Sequence, residues 1–65
     1  MIVNTELVER GLMDNRFTVL DLSRGTGLSR QAIYNIRNGK TDPKKIELRS
    51  AIAVQKFLNH KQYEL

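Results

Sequence analysis

The sequence predicts an all-α fold, a small bundle of four or five helices, and three observations lead to this class. β-branched residues are scattered and never alternate over the length of a strand. Helix-capping residues recur ahead of apolar segments, and glycines stand where helices would end. The 65 residues leave room for one domain, which we place at residues 1–60, with a fraying tail at 61–65.

The first predicted helix runs from Thr5 to about Asn15. Asn4 is placed to cap it, because an asparagine side chain accepts a hydrogen bond from the free amides of a first turn. Val3 before the cap and Val8 at the fourth helical position have the spacing of a hydrophobic staple. Both signals indicate that the helix begins at Thr5.

Two short helices joined by a tight turn are predicted next, over about residues 18–38. A hydroxyl residue caps each helix and a glycine follows each, since glycine readily adopts the left-handed conformation that ends a helix. The caps are Thr18 and Ser29, and the glycines are Gly27 and Gly39. The helices cover about residues 19–25 and 30–38, so the segment has the form of a helix-turn-helix.

The last predicted helix starts at Pro43 and runs to about Asn59. Asp42 caps it, and proline fits the first helical position because no amide hydrogen is needed there. Lys44 and Lys45 would then lie at its N-terminus, where the helix dipole adds to their attraction for phosphate.

The last helix has more apolar residues than one packing stripe needs. Those that share the stripe are Leu48, Ala51, Ile52 and Leu58, and those outside it are Ile46, Ala53, Val54 and Phe57. The surplus residues either pack under the first helix, in a core with Met13, Phe17 and Leu20, or form a subunit interface. The predicted interface of a weak homodimer consists of Val54, Phe57 and Leu58, extended by Tyr63 and Leu65.

Basic residues are concentrated in the second half of a chain whose formal net charge is +4. Five cations between positions 29 and 45 face one acid, Asp42; they are Arg30, Arg37, Lys40, Lys44 and Lys45. Such a cluster is typical of a surface that meets a polyanion, and an ordinary solvated face is the alternative.

The third helix has one apolar and one polar face. Its apolar residues are Ala32, Ile33 and Ile36, and its polar residues are Arg30, Gln31, Tyr34, Asn35 and Asn38. Arginine can bond guanine bidentately and glutamine or asparagine can bond adenine, so the polar set suits base edges in a major groove. The alternative is that any exposed helix end carries polar residues.

The segment FTVLDLSRGTGLSRQAIYNIRNGKTDP, from Phe17 to Pro43, resembles the helix-turn-helix of the lambda-repressor-like Xre/Cro family without a gap. The matching positions are Thr18, Leu22, Ser23, Gly27, Ser29, Ile33, Ile36, Asn38, Gly39, Lys40 and Pro43. The resemblance implies a lambda-repressor-like DNA-binding domain that binds double-stranded DNA operators as a two-fold dimer.

Site residues follow from the same resemblance. The implied base-reading residues are Arg30, Gln31, Tyr34 and Asn35. The implied DNA-backbone contacts are Thr18, Ser29, Asn38, Lys40, Thr41, Lys44 and Lys45, where the loop after the third helix grips phosphates through amides and cations.

Three departures from the family pattern stand out. The family often has a phosphate-binding Gln where this chain has Val19. It commonly pairs an Arg with a Glu at the positions of Leu12 and Arg37, so that bridge is missing and Arg37 is free to meet Glu9, Asp14 or DNA. The usual fifth helix is also absent. Gly25, inside the second helix, has no role that the sequence reveals.

The leading functional interpretation is a sequence-specific transcriptional regulator, Cro-like or repressor-like, that acts by occupying its operator. The alternative is a protein-interaction module, such as an antirepressor or antitoxin-like partner, with secondary DNA binding. We expect no enzyme activity, because His60 is the one histidine and the acids are spread over two helices. We expect no cofactor, metal or small-molecule ligand, no membrane contact, and a cytoplasmic location.

Overall fold

The structure, a computed structural model, describes residues 3–63, which contain four α-helices, one short 3-10 helix and no strand. The elements in chain order are α1 (Thr5–Met13), α2 (Val19–Thr26), α3 (Arg30–Arg37), the 3-10 helix (Pro43–Lys45) and α4 (Leu48–His60). The predicted all-α class is confirmed, with four helices. Of the predicted interface residues, Leu65 lies outside the described part.

The first three helices begin where the capping residues predict. The side chain of Asn4 accepts from the amide of Leu7 at 3.1 Å, and the hydroxyl of Ser29 accepts from Ala32 at 3.1 Å. Thr18 accepts from the amide of Asp21 at 3.0 Å, while the Asp21 carboxylate accepts from the amide of Thr18 at 3.4 Å. Local polar side chains thus satisfy amides that have no partner inside the helix.

The predicted start of the last helix is wrong. Asp42 and Pro43 begin only one 3-10 turn, and α4 begins at Leu48. Ile46 is extended, with φ −73° and ψ 160°, and its half-buried side chain packs against the core. Burial of Ile46 therefore outweighs continuation of the helix, and Lys44 and Lys45 do not lie at the N-terminus of α4.

The hydrophobic core draws on all four helices. Its buried side chains are Val8, Leu12, Leu22, Ile33, Ile36, Ala51, Val54, Phe57 and Leu58. Three of them, Val54, Phe57 and Leu58, are the predicted dimer interface, and they are at most 8% exposed. This corrects the prediction, because side chains that fill the core of one chain are not available to a second copy.

The other expected core positions are divided between the inside and the surface. Phe17 packs against the core as predicted, but Met13 and Leu20 are 47% and 41% exposed. Leu48 was expected in the stripe of the last helix and is 67% exposed, because α4 only begins there.

Gly25 allows α2 to approach α4 closely. A Cβ atom at this position would overlap the aromatic ring of Phe57, and a Cβ at Gly11 in α1 would overlap the side chain of Leu58. Gly25 therefore has a packing role that the sequence does not reveal. Close contact is why a residue with poor helix propensity stands inside α2.

Residues 61–63, which the sequence assigns to a fraying tail, lie against the bundle. The amide of Tyr63 donates to the carbonyl of Leu58 at 2.9 Å, and its hydroxyl donates to the Asp14 carboxylate at 2.9 Å. The ring centroid of Tyr63 is 5.7 Å from that of Phe17, which in turn meets Phe57 edge to face at 5.4 Å. An aromatic cluster thus joins the end of the described chain to the segment between α1 and α2.

Candidate nucleic-acid interface

The turn between α2 and α3 is fixed by side chains as well as by glycine. Gly27 has φ 79°, the left-handed conformation that the sequence predicts for it. The hydroxyl of Ser23 donates to the carbonyl of Leu28 at 2.7 Å, and the hydroxyl of Thr26 accepts from the amide of Leu28 at 3.2 Å. These bonds tie the end of α2 to Leu28, the residue just before the N-cap of α3.

The two faces of α3 separate as predicted. Ile33 and Ile36 are buried, whereas the side chains of Arg30, Gln31 and Tyr34 are exposed, with Tyr34 50% exposed. α3 is thus anchored by its apolar side and displays donors and acceptors on the other.

Two of the predicted base-reading residues are already bonded to each other. The side-chain amide of Gln31 donates from Nε2 to Oδ1 of Asn35 at 3.0 Å, one helical turn away. The bond orients both amides and leaves the Gln31 oxygen and the Asn35 nitrogen free to pair with another group. Asn35 is half-buried, whereas Gln31 is exposed.

The side chain of Arg37 turns inward instead of adding to the surface charge. It donates from Nε to the carbonyl of Leu12 at 2.8 Å, and from Nη2 to the carbonyls of Asp14 at 2.9 Å and Phe17 at 2.7 Å. Neither the Glu9 nor the Asp14 carboxylate is its partner. Arg37 therefore ties α3 to the segment between α1 and α2, in place of the bridge that the family pattern would supply.

Thr18 and Ser29, predicted to contact the DNA backbone, are both exposed N-caps. Each hydroxyl oxygen accepts an amide hydrogen bond of its own helix, so each hydroxyl proton remains free to donate. Val19, which stands where the family has a glutamine, is half-buried and packs against the core.

The loop after α3 uses its backbone amides internally. The amides of Lys40 and Thr41 both donate to the carbonyl of Asn35, at 2.9 and 3.1 Å, and the amide of Asn38 donates to Tyr34 at 2.8 Å. The expectation that these amides grip phosphates is therefore wrong for the structure as it stands. Contacts from this loop depend on the side chains of Asn38, Lys40 and Thr41.

The cationic cluster is smaller than the sequence suggests. The side chain of Arg37 points inward and donates to backbone carbonyls. Nζ of Lys44 lies 3.5 Å from a carboxylate oxygen of Glu9 in α1. Among the described residues, Arg30, Lys40 and Lys45 have no ion-pair partner and are exposed. Three cations of the predicted cluster are therefore exposed and unpaired within residues 3–63.

The pKa of one ionisable group, the carboxyl of Asp14, is strongly shifted. Hydrogen bonds from the side chain and the backbone amide of Arg16, and from the hydroxyl of Tyr63, hold the pKa of Asp14 well below its usual range. Nη2 of Arg16 is 2.9 Å from the carboxylate, and its guanidinium lies 4.8 Å from the ring centroid of Tyr63. The cluster stabilises the segment that receives Arg37.

The described residues 3–63 contain no cluster of three or more His, Asp or Glu side chains placed to hold a metal ion. In the same range, no helix has both the length and the apolar character needed to cross a lipid bilayer.

The comparisons with known proteins give no match. No family model matches the chain, and no curated protein or solved structure is significantly similar to it. The likeness to the Xre/Cro family therefore rests on the residues of the sequence.

Proposed function

We propose that this protein is a sequence-specific, double-stranded DNA-binding transcriptional regulator of the Cro-like or repressor-like kind. The observation that carries the proposal is the division of α3, which buries Ile33 and Ile36 and displays Arg30, Gln31 and Tyr34. A rigid helix with an exposed polar face, following a tight turn, suits insertion into a major groove as part of a helix-turn-helix. The protein would act in the cytoplasm, by occupying its operator.

Base recognition and phosphate binding fall to different residues in this proposal. Arg30 at the start of α3 reads guanine, and the linked amides of Gln31 and Asn35 read adenine. Tyr34, 50% exposed on the same helix, would meet a thymine methyl or a sugar. The backbone contacts come from the free hydroxyls of Thr18 and Ser29 and from the side chains of Asn38, Lys40, Thr41, Lys44 and Lys45.

Two copies are needed to read a two-fold operator. The described part of the chain extends 26 Å along its longest principal axis, whereas half-sites one DNA turn apart are separated by about 34 Å. One copy therefore reads one half-site, and we propose that two copies occupy paired half-sites as a weak homodimer on DNA. Contacts between them would involve surface residues, because Val54, Phe57 and Leu58 are in the core.

The alternative of a pure protein-interaction module loses part of its support. One argument for it was that the last helix has more apolar residues than one packing stripe needs. Two of those extra residues, Val54 and Phe57, are buried in the core. DNA binding explains the polar face of α3 directly.

A binding selection tests the proposal. The protein is titrated by fluorescence anisotropy on a pool of random DNA duplexes over a range of salt concentrations, and the retained fraction is sequenced. We expect affinity to fall steeply with salt and one two-fold motif to be enriched. No binding at low salt would refute the proposal.

The paired variant Arg30→Ala with Gln31→Ala locates the reading helix. We expect it to lose preference for the selected motif and to keep its circular dichroism spectrum and unfolding midpoint, since both side chains are exposed. Lys56→Ala, an exposed change in α4, is the control and should leave the preference intact. Unchanged preference in the paired variant would remove α3 from the proposed site.

A further inference from the structure

An ion pair between α1 and the 3-10 helix includes a residue of the proposed DNA interface. Nζ of Lys44 lies 3.5 Å from a carboxylate oxygen of Glu9. The side chain of Lys44 is 62% exposed and that of Glu9 is 39% exposed, so a third charged group can reach the pair from the solvent. Lys44 is one of the residues assigned above to DNA phosphates, and a phosphate would be such a group.

The surroundings of the pair are polar. Both residues line a surface depression of about 340 Å³ between α1 and the 3-10 helix, together with Thr5, Glu6 and Arg10. Glu6 pairs with Arg10 within α1, at 3.5 Å. Within residues 3–63, Glu9 is therefore the acid that pairs with Lys44.

The two neighbouring lysines of the 3-10 helix differ in their partners. Lys45 is exposed and has no ion-pair partner in the described part of the chain, whereas Lys44 has Glu9. The Asp42 carboxylate accepts from the backbone amide of Lys44, at 2.9 Å, and not from its ammonium group. At a phosphate, Lys45 would bring a full charge and Lys44 a charge that Glu9 already offsets in part.

We propose that Glu9 lowers the affinity of this protein for DNA by competing with phosphate for Lys44. This role rests on the DNA-binding function proposed above. If the ammonium group turns to a phosphate, its ion pair with Glu9 is lost. If it contacts both through its three donors, the carboxylate is held beside a phosphate of like charge. Each route removes part of the free energy that Lys44 would otherwise supply to binding.

Competition at Lys44 has a consequence for specificity. A phosphate carries no sequence information, so Glu9 should lower affinity for every duplex alike and leave the preference for the selected motif unchanged. The base-reading residues of α3 then supply a larger share of the total affinity. The opposite role, in which Glu9 orients Lys44 toward phosphate, predicts that removal of the carboxylate lowers affinity.

Glu9→Gln tests the competition, because glutamine keeps the shape of the side chain and removes its charge. The probe is a mixed-sequence DNA duplex, titrated by fluorescence anisotropy at low salt. We expect the Kd to fall about threefold to fivefold, the size of one exposed ion pair. The gain should shrink as salt is added, since salt screens exposed charges. An unchanged or higher Kd would overturn the proposal.

Glu6→Gln is the matched control. It removes one carboxylate from the same helix and changes the net charge equally, but Glu6 pairs with Arg10 and not with Lys44. We expect its Kd to fall by less than about twofold, which is the general effect of one charge. Equal gains in the two variants would show that Glu9 acts only through the net charge, and would overturn the proposal.

A double-mutant cycle shows whether Glu9 acts through Lys44. In a Lys44→Ala background there is no ammonium group to compete for, so the gain from Glu9→Gln should fall to that of Glu6→Gln. In a Lys45→Ala background the ion pair remains, and the full gain should be kept. A full gain in the Lys44→Ala background would overturn the proposal.

Failure of this role and failure of the DNA-binding function give different results. If the unmodified protein binds the duplex and Glu9→Gln brings no gain, only the role of Glu9 is refuted. If neither protein binds the duplex at low salt, the DNA-binding function is refuted and the role of Glu9 with it. Circular dichroism spectra of the variants, expected to match that of the unmodified protein, show that the comparison is between folded proteins.

Discussion

The guanidinium of Arg37, in the last turn of α3, donates from Nε to the backbone carbonyl of Leu12 in α1 at 2.8 Å. Two further carbonyls, of Asp14 and Phe17, accept from the same side chain. Leu12 is in the last turn of α1, where carbonyls lack partners inside the helix, so Arg37 supplies a donor to an acceptor of that helix end. The orientation of the proposed reading helix thus depends on a residue on its inward side.

We expect Arg37→Met to lower the free energy of unfolding by about 2–3 kcal/mol, because charge-assisted hydrogen bonds to three carbonyls are lost. Urea unfolding followed by circular dichroism measures the change. In a domain this small, such a loss is a large part of the total stability.

Arg30→Met is the matched control for that change. It removes an arginine from the same helix at an exposed position and should change stability by less than about 0.5 kcal/mol. Equal stability of the Arg37→Met variant and the unmodified protein would show that the three hydrogen bonds contribute nothing.

Most local features of this fold could be predicted from the sequence, with the exception of the start of the last helix. The caps Asn4, Thr18 and Ser29 and the turn at Gly27 depend on residues within a few positions of each other, and all four are confirmed. Such features follow from the chemistry of short side chains and from glycine, so no knowledge of the packing is required.

The non-local part could not be predicted. Arg37 looks like another surface cation, because its three acceptors are backbone carbonyls and leave no mark in the sequence. Gly25 and Phe57 lie 32 positions apart, and only their contact explains the glycine. Charge counting likewise overestimated the free cations of the site, since it could not foresee the pairing of Lys44 with Glu9.

The hydrogen bond between Gln31 and Asn35 predicts that these residues read DNA as a pair. Asn35→Ala removes the acceptor that orients the Gln31 amide. We expect the free-energy discrimination against wrong base pairs to fall by about 1–3 kcal/mol at one position of the selected motif. Discrimination at the other positions should be unchanged. Competition binding with single-base variants of the motif measures this.

Asn38→Ala serves as the comparison for the Asn35 variant. Asn38 is assigned to the DNA backbone, so its loss should weaken binding similarly for all sequences. If Asn35→Ala instead behaves like Asn38→Ala, the pair does not read bases.

Lys45 is an exposed cation without an ion-pair partner among the described residues, and it gives a test of phosphate binding. We expect Lys45→Ala to lower affinity for all duplexes and to reduce the slope of log K against log salt by about 1. Anisotropy titrations at several salt concentrations supply the slope. An unchanged slope would remove Lys45 from the interface.

The lowered pKa of Asp14 predicts a loss of stability in acid. The folded state keeps the carboxylate ionised at pH values where the unfolded chain would take up a proton, because Arg16 and Tyr63 bond to the charged form. This contribution is present above the ordinary aspartate pKa of about 3.9 and is lost as the pH falls toward the lowered folded value.

Thermal unfolding at about pH 7 and about pH 3 measures the effect. We expect Asp14→Asn to lose less stability between the two pH values than the unmodified protein does. Tyr63→Phe, which removes one donor to the carboxylate, should be intermediate. An equal acid loss in all three proteins would contradict the role of Asp14.

Gly25→Ala has two opposing effects on stability, one from helix propensity and one from packing. Alanine is favoured over glycine inside a helix by about 1 kcal/mol. Gly25→Ala would therefore stabilise the protein if the space beside Gly25 were open. A Cβ at this position overlaps the ring of Phe57, however, and overpacking typically costs about 1–3 kcal/mol. We therefore expect a net loss of stability in urea unfolding.

A double-mutant cycle with Phe57→Leu identifies the cause of that loss. Leucine removes the ring that the new Cβ would meet, so Gly25→Ala should be less destabilising in the Phe57→Leu background than alone. The two residues are in contact, and changes in contacting residues are not additive. If the two changes were additive, or if Gly25→Ala alone were stabilising, α2 and α4 would not be held together as closely as the structure has them.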